Sequence, residues 1–367
     1  MTGQHPNRPA PKSKRSSSAG IWERHRFASL RADVQKDAVA KNIYKIPGVL
    51  GIAVGMSLGP KGLSDRPVVR VYLNPSVHAS DVNLPKELGG CEVVIAYRRT
   101  KLLACDGLHD AWVGVVRPGC NIGPDFTCGG TCGMKVWDTV WHGGPDHTID
   151  DQPQFFLTAN HVCPDEWSPV FQPPNDSGSY ADNYVGQVYR AVPASASGGL
   201  YEVSVVARDA YRPFSPEPHA PIYPLEPEPS EALKFLSVAY LTVNGSITNE
   251  GQGMYLEIAP ETEFDSPDGI FTLREHMVVV AENPADVISL PGNSGAVLFD
   301  TGFVPVAIIT GSYDVTIGGT TWSGVAASFL NRADGIDVLA ALGVSNIPPT
   351  PPPPAGEGHL DYSHAKW

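Results

Sequence analysis

Two short stretches of this chain bring together residue types that can transfer an acyl group. In residues 156–163 an apolar run delivers a histidine, His161, at its end. In residues 290–297 a serine, Ser294, stands among glycines, with Gly292 two positions before it and Gly295 directly after. A serine hydroxyl is a weak nucleophile at neutral pH and needs a base to take its proton as it attacks. Histidine suits that task because its pKa lies near the working pH. The flanking glycines let the backbone turn sharply and let a carbonyl approach closely. The N–H groups of Gly292 and Ser294 can then aim at the oxyanion that forms, each such donor contributing about 3–4 kcal/mol in the transition state. Either stretch alone is a common pattern. Together, and in this order, they point to Ser294 as nucleophile and His161 as general base.

The elements that must position them read as short strands. The chain holds 37 glycines and 35 prolines among 367 residues, a turn-rich composition that suits strands better than a helical bundle. From about Cys120 onward the readable strands are 132–138, 154–159, 184–192, 200–207, 237–243, 277–282, 296–300 and 304–311. Such a series suits a pair of packed antiparallel barrels. Ahead of it, residues 21–44 have helical spacing, with Phe27, Leu30, Val34 and Ala38 on one face. Strand-like runs follow at 48–56, 67–74 and 91–99. The stretch 211–232 is dense in proline, which denies a ladder its N–H donors, and reads as a surface excursion.

The two reactive segments resemble the chymotrypsin/trypsin family. Leu157-Thr158-Ala159-Asn160-His161-Val162-Cys163 is similar to its Leu-Thr-Ala-Ala-His-Cys motif, and Gly292-Asn293-Ser294-Gly295-Ala296 to its Gly-Asp-Ser-Gly-Gly motif. The likeness is strongest to a bacterial branch related to the plant narrow-leaf-type proteases, through the small leading domain and the glycine-rich Gly129-Gly130-Thr131-Cys132-Gly133. It implies a mainly β fold, a chymotrypsin-like double antiparallel β-barrel preceded by a small α+β domain. The expected layout is a disordered start at 1–20, the small domain at 21–115, the barrels at 116–345 and a Pro-rich tail at 346–367.

The resemblance also implies an acid that orients His161, carried on a strand between histidine and serine. Tyr201-Glu202-Val203-Ser204-Val205-Val206 supplies a glutamate, Glu202, where aspartate is usual; Asp209 and Asp182 are the alternatives. Asn293 replaces the aspartate that pairs with a freshly cleaved N-terminus, so activation by that ion pair is not expected. Ile288 falls at the base of the specificity pocket, and Thr310, Gly311 and Ser312 on the wall strand that pairs with substrate. An apolar pocket base implies a small or apolar side chain before the cleaved bond. The expected activity is that of a serine endopeptidase without metal or organic cofactor. The alternative is a protease-like binding module that has lost turnover.

Bulk properties narrow the partners. The net charge of −13 argues against nucleic acid. The basic cluster Lys12, Lys14 and Arg15 lies in a Ser- and Pro-rich stretch that reads as a solvated tail. No run of about 18 apolar residues exists, so no membrane span is expected, and residues 1–20 hold no secretory signal. The expected place is cytoplasmic, with six reduced cysteines. Cys128 and Cys132 sit four apart, but the paired spacings of structural zinc sites are missing. Cys163, two residues past the base, reads as a core residue rather than a nucleophile. Expected partners are a protein or peptide substrate and a dedicated protein docked through the leading domain or the Pro-rich tail.

Overall fold

The computed structural model describes residues 29–350, except 60–61, 103–115, 117, 125–128, 141, 143–151, 173, 175–179, 210–233, 238–250, 267–268, 289–291, 301–303 and 333. The expected disordered start, the proline-dense stretch 211–232, most of the strand at 237–243, residues 351–367 of the tail, and Cys105 and Cys128 lie outside the described residues.

The helical spacing of residues 21–44 gives a helix over 29–36 and a second over Ala38–Ile43. Asp37 separates them. Its carboxylate accepts the Val39 N–H at 2.6 Å, restarting the helix as an N-cap. Four strands follow: β1 (Val49–Gly59), β2 (Gly62–Leu73), β3 (Glu87–Leu88) and β4 (Cys91–Leu102). β1 and β2 form an antiparallel hairpin, and β4 lies parallel to β2. Val34 and Ile43 from the helices close over Val69, Val71 and Leu73 from β2.

A curled sheet carries the histidine. Its strands are β5 (Asn121–Pro124), β6 (Gly130–Thr131), β7 (Lys135–Asp138), β8 (Gln154–Ala159), β9 (Pro169–Phe171), β10 (Tyr184–Val192) and β11 (Val203–Arg208). They run in the order β7-β8-β11-β10-β9-β5-β6. Phe156, Val170, Val185, Val188 and Val206 fill its interior.

The serine belongs to the next group: β12 (Lys234–Ser237), β13 (Gly251–Ile258), β14 (Thr262–Ser266), β15 (Gly269–Leu273), β16 (Met277–Ala281), β17 (Val297–Asp300), β18 (Pro305–Ile317), β19 (Thr320–Trp322) and β20 (Gly324–Phe329). Six of these run in the order β12-β17-β18-β20-β16-β13, and β12 pairs back onto β13. That return closes a ring of hydrogen bonds and leaves its strands without a free edge. The β14–β15 hairpin projects from it between β13 and β16. The fold is mainly β: a closed barrel packed against a curled half-barrel sheet, consistent with a chymotrypsin-like double barrel.

The leading strands hydrogen-bond into the same sheet as the second barrel. β1 meets β13 at Gly55 and Glu257, and β4 pairs with the far half of β18. At the first seam the Arg70 guanidinium bonds the Glu257 carboxylate, which also accepts the Tyr72 hydroxyl; all three side chains are fully buried. Burial and the Glu257 charge beside it push the Tyr72 hydroxyl well above the ordinary tyrosine range. Between the two barrels, Met134, Val136 and Leu157 pack on Val297, Phe299 and Ile308, with Val338 and Leu342 from a short helix beside them.

Candidate functional site

The site is built where the two barrels meet. β8 and β11 are antiparallel neighbours with Ala159 opposite Val203 and Thr158 opposite Ser204. That register puts the residue just before β11 beside the residues just after β8. Glu202 and His161 are those residues. One Glu202 oxygen lies 3.0 Å from His161 Nδ1, and the other accepts the His161 backbone N–H at 2.9 Å. The chain turns through His161 in a short 3₁₀ turn, Asn160–Val162. Asn160 Nδ2 donates to Ser204 Oγ at 3.0 Å, and Ser204 Oγ donates to the Cys163 carbonyl at 2.7 Å. The turn is therefore tied to β11 on both sides of the imidazole. With its Nδ1–H held by a carboxylate, a neutral imidazole leaves Nε2 as the basic nitrogen.

The competing carboxylates stand elsewhere. Asp209 follows β11, where its N–H bonds the Val185 carbonyl; it is seven residues beyond Glu202, roughly 20 Å along an extended strand. Asp182 sits in the helical turn Tyr180–Asn183.

Ser294 lies in the turn that leads into β17, fully buried. Gly292 and Gly295 on either side adopt φ of 94° and 92°, the left-handed region that a side chain resists. This turn is joined to the histidine strand and loop through β6. The Thr131 N–H donates to the Ser294 carbonyl at 2.7 Å, and Thr131 Oγ1 donates to the Gly292 carbonyl at 2.6 Å. Thr158 Oγ1 in turn donates to the Thr131 carbonyl at 2.9 Å. At Gly130 a Cβ would lie 2.7 Å from the Ser294 carbonyl and 2.4 Å from Val162 Cγ2; at Gly295 one would lie 3.1 Å from the Ala159 nitrogen. The glycine-rich run at 129–133 is thus the spacer that brings the two loops into contact. In the sequence it stood out only through a resemblance. Its reason is space.

The Ser294 hydroxyl donates to the Thr310 carbonyl at 2.7 Å. His161 Nε2 is buried and has no hydrogen-bond partner among the described residues. A ring from the hairpin covers the imidazole: Phe271 of β15 stacks on it with centroids 6.0 Å apart and planes 23° apart. Phe264 of β14 stacks on Phe271 at 5.6 Å. The imidazole side chain is left only 4% exposed. No signal in the sequence marks Phe271, because a hairpin phenylalanine reads as core.

The remaining predicted residues divide. Ile288 is buried among Tyr255, Val279 and Val325 of the second barrel, close enough that a Cβ on Gly253 would meet its Cδ1 at 2.1 Å. Thr310, Gly311 and Ser312 all lie on β18, but Gly311 and Ser312 stand opposite Leu102 and Lys101 of β4. Cys163 is fully buried and burial pushes its thiol up, which disfavours the reactive thiolate. His276, also fully buried, is pushed down to about 3 by burial, with the Arg98 charge adding to it. Neither of its ring nitrogens has a partner among the described residues. Among those residues no group of three His, Cys, Asp or Glu side chains is placed to hold a metal ion, and no helix is long and apolar enough to cross a membrane.

Compared with known proteins, no family model matches the sequence, and no curated protein matches it. Among solved structures the chain is similar to a chymotrypsin from Cellulomonas bogoriensis, at 14% identity and a TM-score of 0.36, over 64% of this chain and 98% of that one.

Proposed function

We propose that the chain is a serine endopeptidase acting through an acyl-enzyme. Ser294 attacks a peptide carbonyl. His161 takes its proton at Nε2 and returns it to the leaving amine. Glu202 holds the imidazole in the required tautomer and stabilises its charged form, and the N–H groups of Gly292 and Ser294 receive the oxyanion. Water then resolves the ester. The observation that carries this reading is the two-point grip of Glu202 on His161, in a loop packed against the Ser294 turn. A carboxylate that bonds both the backbone and the ring of one histidine fixes that ring in space. A merely structural histidine does not need that grip.

For attack, the Ser294 side chain must rotate from the Thr310 carbonyl toward Nε2. A buried Ile288 in the second barrel favours a small or apolar side chain before the cleaved bond. The bacterial narrow-leaf-like branch is the reading of lineage, supported by the Gly129–Gly133 run and the leading strands. A cytoplasmic site of action accords with the unbridged thiols of Cys132 and Cys163. The expected partner is a protein or peptide substrate.

A second reading has one observation in its favour. Ser294 bonded to Thr310 and a buried, unpartnered Nε2 describe a site at rest, as a binding module that has lost turnover would keep it. A fluorophosphonate probe separates the two. Labelling of the intact chain that disappears in Ser294→Ala supports the hydrolase; no labelling across pH 6–9 supports the module.

A further inference from the structure

The wall strand of the site offers a peptide one residue of free edge. On the nucleophile's side Ile309 is already used: its N–H donates to the Ala296 carbonyl at 2.8 Å and its carbonyl accepts the Gly295 N–H at 2.8 Å. On the far side, β4 takes the edge from Gly311 to Ile317, with Gly311 opposite Leu102 and Ser312 opposite Lys101. Ser312 Oγ adds a bond to the Lys101 carbonyl at 3.2 Å. The other edge of β18 belongs to β20, whose register skips Thr310 at an irregularity between Ile309 and Gly311. Between Ile309 and the stretch held by β4, Thr310 is therefore without a strand partner among the described residues, and its carbonyl accepts the Ser294 hydroxyl.

We propose that β4 is a built-in stop that confines backbone recognition ahead of the cleaved bond to one residue, held at Thr310. The proposal rests on the hydrolase reading. A peptide added antiparallel to a strand gains affinity from successive main-chain hydrogen bonds. Here the second and later positions of that ladder are filled by Leu102 and Lys101, which run in the antiparallel sense a peptide would take. Displacement of β4 is unfavourable. It is held by seven pairs to β18 and six to β2, and Ala96 and Leu102 are buried. A peptide that gained two or three bonds would break as many pairs at the end of β4 and expose Leu102, so the exchange brings no net gain. The hairpin closes the same approach from the side, with Phe264 against Gly311 and Phe271 over His161. Selection ahead of the bond then falls on one side chain, and any further selectivity must come from residues after it.

The test is a set of amide substrates with one to four residues before a fluorescent leaving group, all sharing the same small or apolar residue at the bond. An open groove would gain about 2- to 13-fold in kcat/KM for each added main-chain bond. With β4 as a stop, kcat/KM stays within about threefold across the series. A rise of tenfold or more on adding the second or third residue overturns the proposal. Hydrogen exchange gives a readout that needs no variant. Amides of residues 96–102 keep their protection when a four-residue peptide aldehyde occupies Ser294; their deprotection overturns the stop. Absence of fluorophosphonate labelling sinks the hydrolase reading and this one with it, whereas labelling with a rising series sinks the stop alone.

Discussion

Glu202 reaches both the ring and the backbone of His161 because each oxygen of its carboxylate takes one of the two donors. The pair of bonds, at 3.0 and 2.9 Å, needs an acceptor at each end of the carboxylate. Glutamine in its place keeps the shape but turns one acceptor into a donor. Either the ring tautomer is lost or the loop loses its tether. Glu202→Gln should therefore lower kcat by about 10⁴, the scale seen when a triad acid becomes an amide, with KM and fold little changed; steady-state kinetics and a thermal melt check both. His161 and Ser294 were legible because each sits at a strand end whose apolar run is plain, whereas Glu202 rested on the resemblance alone, with Asp209 and Asp182 left open. The state of the site was not legible. That the Ser294 hydroxyl turns to Thr310, and that Phe271 lies over the imidazole, are matters of rotamer and long-range packing that spacing does not encode.

Loops and strands hold the site by contact rather than by chemistry. Gly295 lies against Thr158 Oγ1, the Thr131 carbonyl and the Ala159 nitrogen, where a Cβ would stand at 2.3, 2.4 and 3.1 Å. Two of these neighbours are backbone and cannot swing aside. Gly295→Ala should lose activity together with several kcal/mol of stability. Gly318→Ala is the control: φ is also positive, at 56°, but nothing lies within 4 Å, so its cost should be only the about 1–2 kcal/mol of a left-handed residue. Equal losses in urea melts of the two variants would refute the packing account. The strands at 154–159 and 296–300, which carry the site, and the strand at 184–192 in the histidine sheet were legible as apolar runs between turns. The filling of the β18 edge by β4 was not, because alternation along a strand tells which face is buried and not which strand lies beside it.

At the scale of the molecule, a buried charge pair joins the leading strands to the second barrel. Removing one partner strands the other without solvent, so Arg70→Met should cost about 3–5 kcal/mol. Adding Glu257→Leu and Tyr72→Phe should restore most of it, since the desolvated group and its hydroxyl donor are then gone; a triple variant no more stable than the single one would contradict this. A second global effect comes from His276. Its folded value, about 3, lies below the ordinary 6.5 of an exposed histidine. The unfolded chain therefore binds a proton that the folded chain refuses. Stability from this residue is complete above pH 6.5 and declines as the pH falls through the window toward 3. By pH 5 the loss is about 2 kcal/mol, and His276→Phe, with Phe264 and Tyr313 as its ring neighbours, should flatten the dependence between pH 7 and 5.

The pairing of β4 with β18 also sets an order of assembly. Lys101 and Ser312, joined across that ladder, are 211 residues apart. At a synthesis rate of about 5–20 residues per second, roughly 10–40 s pass between the making of one and of the other. β13, which ends at Ile258, is made within that interval, but the edge of β4 has no partner until β18 follows, and its outer backbone groups are open to any other strand. The part of the chain made first is completed only when β18 has been made.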